Sequence, residues 1–159
     1  MKKILLAVDG SKCALRAVDY AGRQFSAISG LKVTLLYVMP YPPAPLWDDG
    51  HIPSATEKAE RDRMIEAWLQ NHKSRTEPIF RDAAGLLAAL GMNPGQIETK
   101  SVSDSIDVAG SILEEAKDGG YDMLILGRCG QSTAKYAFMG SVTSKIVNHG
   151  SGTAICIVE

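Results

Sequence analysis

The sequence predicts an α/β fold: one sheet of five parallel strands in the order 3-2-1-4-5, with helices on both faces. Three observations carry this reading. Short apolar runs of strand length alternate with stretches of helical periodicity. The first run, Ile4 to Val8, is apolar without a break, as a strand buried on both faces requires. Strands that alternate with helices join by right-handed crossovers into a parallel sheet, and helices on both faces require the winding to reverse once. Such sheets bind ligands beyond the C-terminal ends of their strands, at the reversal.

The elements follow in order. After the first strand, Ser11 offers an N-cap for a helix over 12–28, with Leu15, Val18, Ala21 and Phe25 at helical spacing. Gly30 closes it, and Val33 to Met39 is the second strand. Residues 40–53, rich in Pro and Asp with a single Gly, read as a long surface loop. A helical pattern over about 55–90 keeps one phase through Trp68, His72, Thr76, Ile79, Ala83, Leu86 and Leu90, so Pro78 is expected to kink or split that helix. Gly91 stops it and Asn93-Pro94-Gly95 makes a turn. Ile97 to Val102 is the third strand, placed at an edge by Glu98 and Lys100. Asp104 or Ser105 is expected to cap a helix over 106–118, which ends at Gly119-Gly120. Met123 to Leu126 is the fourth strand, Ser141 to His149 the last helix and Ala154 to Val158 the fifth strand.

Bulk properties bound the function. The 159 residues suit a single domain over 1–159, and neither a repeat nor a linker interrupts them. Lys plus Arg is 17 against 18 for Asp plus Glu, without the basic excess of a phosphate-gripping nucleic-acid binder. No apolar stretch approaches the roughly 20 residues that span a bilayer, so no membrane partner is expected. The N-terminal apolar run stops at Asp9, too soon for a signal peptide. Three cysteines, Cys13, Cys129 and Cys156, with no Cys-x-x-Cys, fit reduced thiols in a cytoplasmic protein. Cys13 and Cys156 are expected to pack as small apolar residues, while Cys129, in a glycine-containing loop, has two readings, an inert thiol or a redox-sensitive one.

That loop, "GRCGQSTAKYAFMGSVTSK" over 127–145, is where chemistry concentrates. If the first strand is central, the segments Val8-Asp9-Gly10-Ser11 and Gly127-Arg128-Cys129-Gly130 meet in one crevice at the winding reversal. Glycines let backbone N–H groups approach an anion, and a following helix N-terminus adds free N–H groups and a favourable dipole. Gly127 and Gly130 would shape the bend, Gly140 would open the last helix, and the N–H groups of Ser141, Val142 and Thr143 would face phosphates. The Ser141 hydroxyl has two readings, a helix cap or an anion contact. Asp9 reads as a cap of the first turn or as a ligand contact, and Arg128 as a solvated cation or a phosphate contact. The pattern is neither a Walker A loop nor a dinucleotide-binding Gly-x-Gly-x-x-Gly.

"ILLAVDGS", "VTLLYV", "DMLILGRCG", "MGSVTSKIVNHG" and "AICIVE" together resemble the universal stress protein family along essentially the whole chain, with the Gly-x2-Gly-x9-Gly-[Ser/Thr] pattern of its ATP-binding branch intact. The resemblance implies a UspA-like domain of Rossmann-like, adenine nucleotide alpha hydrolase-like fold that binds ATP, or ADP or AMP. It implies that Asp9 lies beside ribose and phosphates, that Ala7 lies near the base, and that the Val38 backbone meets adenine. Mg²⁺ is expected with a bound ATP on chemical grounds, with Asp9 as the carboxylate to hold it. Gly127, Arg128, Gly130, Gln131, Gly140, Ser141, Val142 and Thr143 would surround ribose and phosphates. It also implies a homodimer through Ala154 to Val158, an edge with two apolar faces and no Lys or Pro within it.

The function expected is a nucleotide-dependent regulator or adaptor in the stress response. The alternatives are a slow Mg-dependent ATPase and a nucleotide-free dimeric stress protein. No nucleophile elbow, His-Asp pairing or Walker B signature is present, so slow hydrolysis is the most that is expected. His51, His72 and His149 have no metal-ligand spacing, and Asp48-Asp49 reads as a solvated loop. Trp47 reads as a loop anchor and Trp68 as helix packing.

Overall fold

Every side chain of Ile4, Leu5 and Leu6 is fully buried, which is possible only if both faces of their strand are covered. The computed structural model describes residues 1–43, 50, 52–130, 139–150 and 152–159. Gln131, Ser132, Thr133, Trp47, Asp48, Asp49 and His51 lie outside them. β1 (Lys3–Ala7) is central, between β2 (Lys32–Pro40) and β4 (Met123–Gly127), with β3 (Ile97–Ser105) and β5 (Ala154–Val158) at the edges. All pairings are parallel, in the order β3-β2-β1-β4-β5. The winding reverses between β1 and β4, as the sequence predicts.

Alternation along β1 feeds two cores. Ile4 and Leu6 pack with Ala17, Val18 and Ala21 of α1 (Lys12–Phe25) and with Ile79, Ala83 and Leu87 of α2 (Ala55–Ala89). Leu5 packs on the other face with Ala109, Ile112 and Ala116 of α3 (Val108–Asp118) and Ile146 of α4 (Ser141–His149). Three layers result, and they open at the C-terminal ends of the strands.

Three expectations are corrected, and of the two outcomes expected at Pro78 the split does not occur. α1 stops at Phe25 rather than at 28, because the chain turns there with the Ile28 N–H donating to the Phe25 carbonyl. α2 is one helix of 35 residues that carries Pro78 in its interior, neither split nor ended there. Its start is a capping box in which Ser54 and Glu57 satisfy each other's backbone N–H groups. β3 runs on to Ser105, so Asp104 and Ser105 belong to the strand, and Asp107 is the N-cap of α3. The extension holds because the Tyr41 N–H donates to the Ser105 carbonyl, past a register shift between Val38 and Pro40. Among the described residues, no helix is long and apolar enough to cross a membrane.

Candidate functional site

The two turns that leave β1 and β4 set the site. After β1, the Asp9 carboxylate accepts the Ser11 N–H at 2.9 Å, and the Ser11 hydroxyl accepts the Ala14 N–H at 3.1 Å. The α1 terminus is therefore capped by its own chain. After β4, Gly127 passes so close to α1 that a Cβ on it would lie 2.6 Å from the carbonyl carbon and oxygen of Cys13. Only glycine permits that crossing.

The loop then returns to its base. The Gly140 N–H donates to the Arg128 carbonyl at 2.9 Å, and a Cβ on Gly140 would meet the Cys129 Cα at 3.3 Å. Gly140, not Ser141, is the N-cap of α4, and among the described residues no side chain caps this helix. As a glycine it offers the first-turn N–H groups of Ser141, Val142 and Thr143 no cap oxygen of the kind that Ser11 gives α1. The Thr143 hydroxyl is committed elsewhere: it is buried and donates to the Gly127 carbonyl at 3.0 Å. A Cβ on Gly130 would come 3.0 Å from the Asp9 carboxylate, so the two turns face each other across a narrow gap.

Between them lies a cleft of about 230 Å³. Ala7, Asp9, Val38, Gly127, Gly130, Gly140, Ser141, Val142 and Thr143 all line it, together with Cys129. One side is apolar, formed by Leu36, Val38, Val108, Ile112, Leu126 and Val142. There β1 ends its pairing at Ala7 and Leu36, and the Val8 N–H donates to the Leu36 carbonyl at 2.9 Å. Strand alternation puts the Val38 N–H and C=O on that same side of β2, beyond the end of β1. Arg128 does not line the cleft; its guanidinium stands 3.4 Å from the Glu159 carboxylate at the end of β5.

The opposite side is polar and comes partly from α2, which sequence reasoning did not connect to the site. His72 and Arg75 line the cleft with Tyr37 of β2. His72 stacks on Trp68 with ring centroids 3.8 Å apart, and its Nδ1 is 3.0 Å from the Trp68 carbonyl. Burial raises the pKa of the Tyr37 hydroxyl; the nearby Arg75 cation opposes this and the Asp9 carboxylate adds to it.

Cys13 and Cys129 are not separate thiols here. Their Cα atoms are 5.7 Å apart and their sulfurs are joined as a disulfide, whereas Cys156 is free. The sequence reading did not bring these two residues together. The pairing follows from the Gly127 crossing, which sets α1 under the loop.

Comparison with known proteins agrees with the geometry. The model of the Universal stress protein family matches residues 1–156. A universal stress protein from Lactobacillus plantarum is 20% identical with a TM-score of 0.66, covering 99% of this chain and 97% of that one. A universal stress protein in complex with cAMP is 23% identical with a TM-score of 0.65, covering 99% and 96%. A family protein from Arabidopsis thaliana with AMP bound is 16% identical with a TM-score of 0.62, covering 99% and 91%. No curated protein matches the chain at a significant level.

Proposed function

This chain belongs to the universal stress protein family, and we propose that it binds an adenine nucleotide, ATP foremost, in the cleft between β1 and β4, acting as a cytoplasmic nucleotide-dependent regulator or adaptor. The observation that carries this is the pairing of an uncapped helix N-terminus with a glycine-lined turn. Among the described residues the first turn of α4 has no side-chain cap, and Gly130 and Gly140 leave room beside it for an anion. The apolar side suits a flat base, and the Val38 backbone offers one donor and one acceptor to its edge. Two similar structures hold cAMP and AMP, which supports an adenine base.

Within this reading, Asp9 stands next to the phosphates. Mg²⁺ binds through one or two carboxylates plus phosphate oxygens and water, and among the described residues Asp9 is the carboxylate that lines the cleft. When bound, Mg²⁺ would offset phosphate charge. The chain's own residues orient the nucleotide: α4 holds the phosphates, and Asp9 and Gly130 fix the turn around them. The residues in the cleft supply binding and positioning, so turnover is expected to be absent or far below the roughly 10 s⁻¹ median of enzymes. The protein is expected to form a homodimer through β5.

Calorimetry with ATP, ADP, AMP and GTP tests the reading. Adenine nucleotides should bind and GTP should bind more weakly. No detectable adenine-nucleotide binding at millimolar concentration would overturn it.

A further inference from the structure

We propose that Cys13 and Cys129 form a reversible thiol–disulfide site whose oxidised form fastens the loop after β4 to the start of α1. The pair comes from positions 116 residues apart, and its Cα separation of 5.7 Å lies within the range that a disulfide spans without backbone movement. Both halves are held by other parts of the fold. The Gly127 crossing sets the Cys13 backbone against the end of β4, and Gly140 packs on the Cys129 Cα.

The surroundings give the two sulfurs different parts in the chemistry. Cys13 is buried, with 5% of its surface exposed, and is the second residue of α1, at the positive end of the helix. The Arg16 guanidinium donates to its sulfur at 3.1 Å. A helix N-terminus and an adjacent cation both favour thiolate over thiol. Cys129 is partly exposed and lines the cleft, where a small reagent reaches it.

A low-molecular-weight disulfide is the oxidant. Cys129, as thiolate, attacks one of its sulfurs, forming a mixed disulfide and releasing one small thiol. The Cys13 thiolate then attacks the Cys129 sulfur, forming the internal bond and releasing the second small thiol. Two cysteine sulfurs are oxidised by two electrons in all and the small disulfide is reduced by two. The two protons lost by the cysteines end on the two released thiols.

Oxidation acts on the proposed nucleotide cleft because Cys129 is the residue between Arg128, which accepts the Gly140 N–H, and Gly130, which faces Asp9. Pinning Cys129 to α1 holds both contacts. This consequence rests on the nucleotide reading; the thiol chemistry and the fastening of the loop do not.

The full chain, equilibrated across ratios of reduced to oxidised glutathione, is alkylated, digested and examined by mass spectrometry. A linked Cys13–Cys129 peptide is expected, with Cys156 alkylated throughout and the link lost in dithiothreitol. Hydrogen exchange at residues 128–130 and 140–144 should be slower in the oxidised protein. Cys13→Ser and Cys129→Ser should each remove that difference. A glutathione adduct on Cys129 without the internal link, or equal exchange in the two states, overturns the proposal. Nucleotide affinity should differ between the states by about fivefold or more. Absence of nucleotide binding in both states counts against the nucleotide reading, while the linked peptide and the exchange difference decide the thiol site.

Discussion

The Thr143 hydroxyl donates to the Gly127 carbonyl across 3.0 Å, tying the first turn of α4 to the last residue of β4. The bond closes the loop that makes the cleft, and it explains why a hydroxyl residue stands where only a backbone N–H is needed for an anion. Thr143→Val keeps the side-chain volume but leaves a buried carbonyl without this donor. A loss of about 1–3 kcal/mol is expected, together with weaker nucleotide binding. Urea denaturation and calorimetry on the same samples check it, and Thr143→Ser should recover most of both.

Gly127 and Gly130 are required for different reasons, so their substitutions should separate. At Gly127 a Cβ meets the Cys13 backbone at 2.6 Å, and backbone cannot swing aside. Gly127→Ala should destabilise the fold by about 1–3 kcal/mol through overpacking. At Gly130 the neighbour is the Asp9 carboxylate at 3.0 Å, in an exposed turn. Gly130→Val should leave the melting temperature nearly unchanged while abolishing nucleotide binding. Equal stability losses at both positions would remove the distinction.

How far the sequence discloses the site depends on what each residue must satisfy. β1 and β4 are legible because their unbroken apolar runs fit burial on both faces, and the glycine spacing is legible because close backbone approach excludes other residues. Arg75 is hidden, since a cation on a polar helix looks the same whether it faces water or a cleft. The Cys13–Cys129 contact is hidden too, because it arises from the crossing of α1 over Gly127 rather than from any local pattern. At Pro78 the choice between a kinked and a split helix is not local either: packing of Ile79, Ala83 and Leu87 into the core keeps the helix whole. Asp107 lost the cap role to Asp104 or Ser105 in the sequence reading because pairing with β2 carries β3 further than its apolar residues do.

Arg75 supplies a cation from α2 to a cleft whose other side presents the glycine turn and the start of α4. Charge attraction grows with the number of phosphates, whereas base contacts do not. Arg75→Gln should therefore weaken ATP more than AMP, and the difference should shrink as salt is added. Calorimetry at two ionic strengths checks this. Equal losses for ATP and AMP would place Arg75 at the base or ribose instead.

Asp107 and Lys145 link α3 to α4 at the flank of the cleft, 2.7 Å apart. The Lys145 hydrogen bond holds the Asp107 carboxyl below its ordinary pKa, with backbone N–H groups adding to the effect. A lowered carboxyl pKa gives stability that is fully present above the unfolded-state value and is lost as pH falls through the folded-state value. Lys145→Met should remove most of that acid dependence and lower stability slightly at neutral pH. Thermal melts from neutral to acid pH check it: the variant and the natural sequence should converge in acid.

β5 is an edge strand whose outward backbone groups are identifiable. The Arg128 N–H donates to the Val158 carbonyl at 2.8 Å, so the backbone groups of Val158 point toward β4. By alternation those of Ile157 point away from β4, to the open side of the sheet. Ile155 and Ile157 pack toward one core and Cys156 and Val158 toward the other, and each keeps some exposed surface. Two copies related by a two-fold axis can align these edges antiparallel and exchange hydrogen bonds. Ile157→Pro removes an outward donor without taking one from the β4 ladder, so it should break pairing between chains and spare the fold. Sedimentation should show a dimer for the natural sequence at tens of micromolar and a shift toward monomer for the variant, with unchanged circular dichroism. A natural sequence that sediments as a monomer at that concentration would refute the edge-paired dimer.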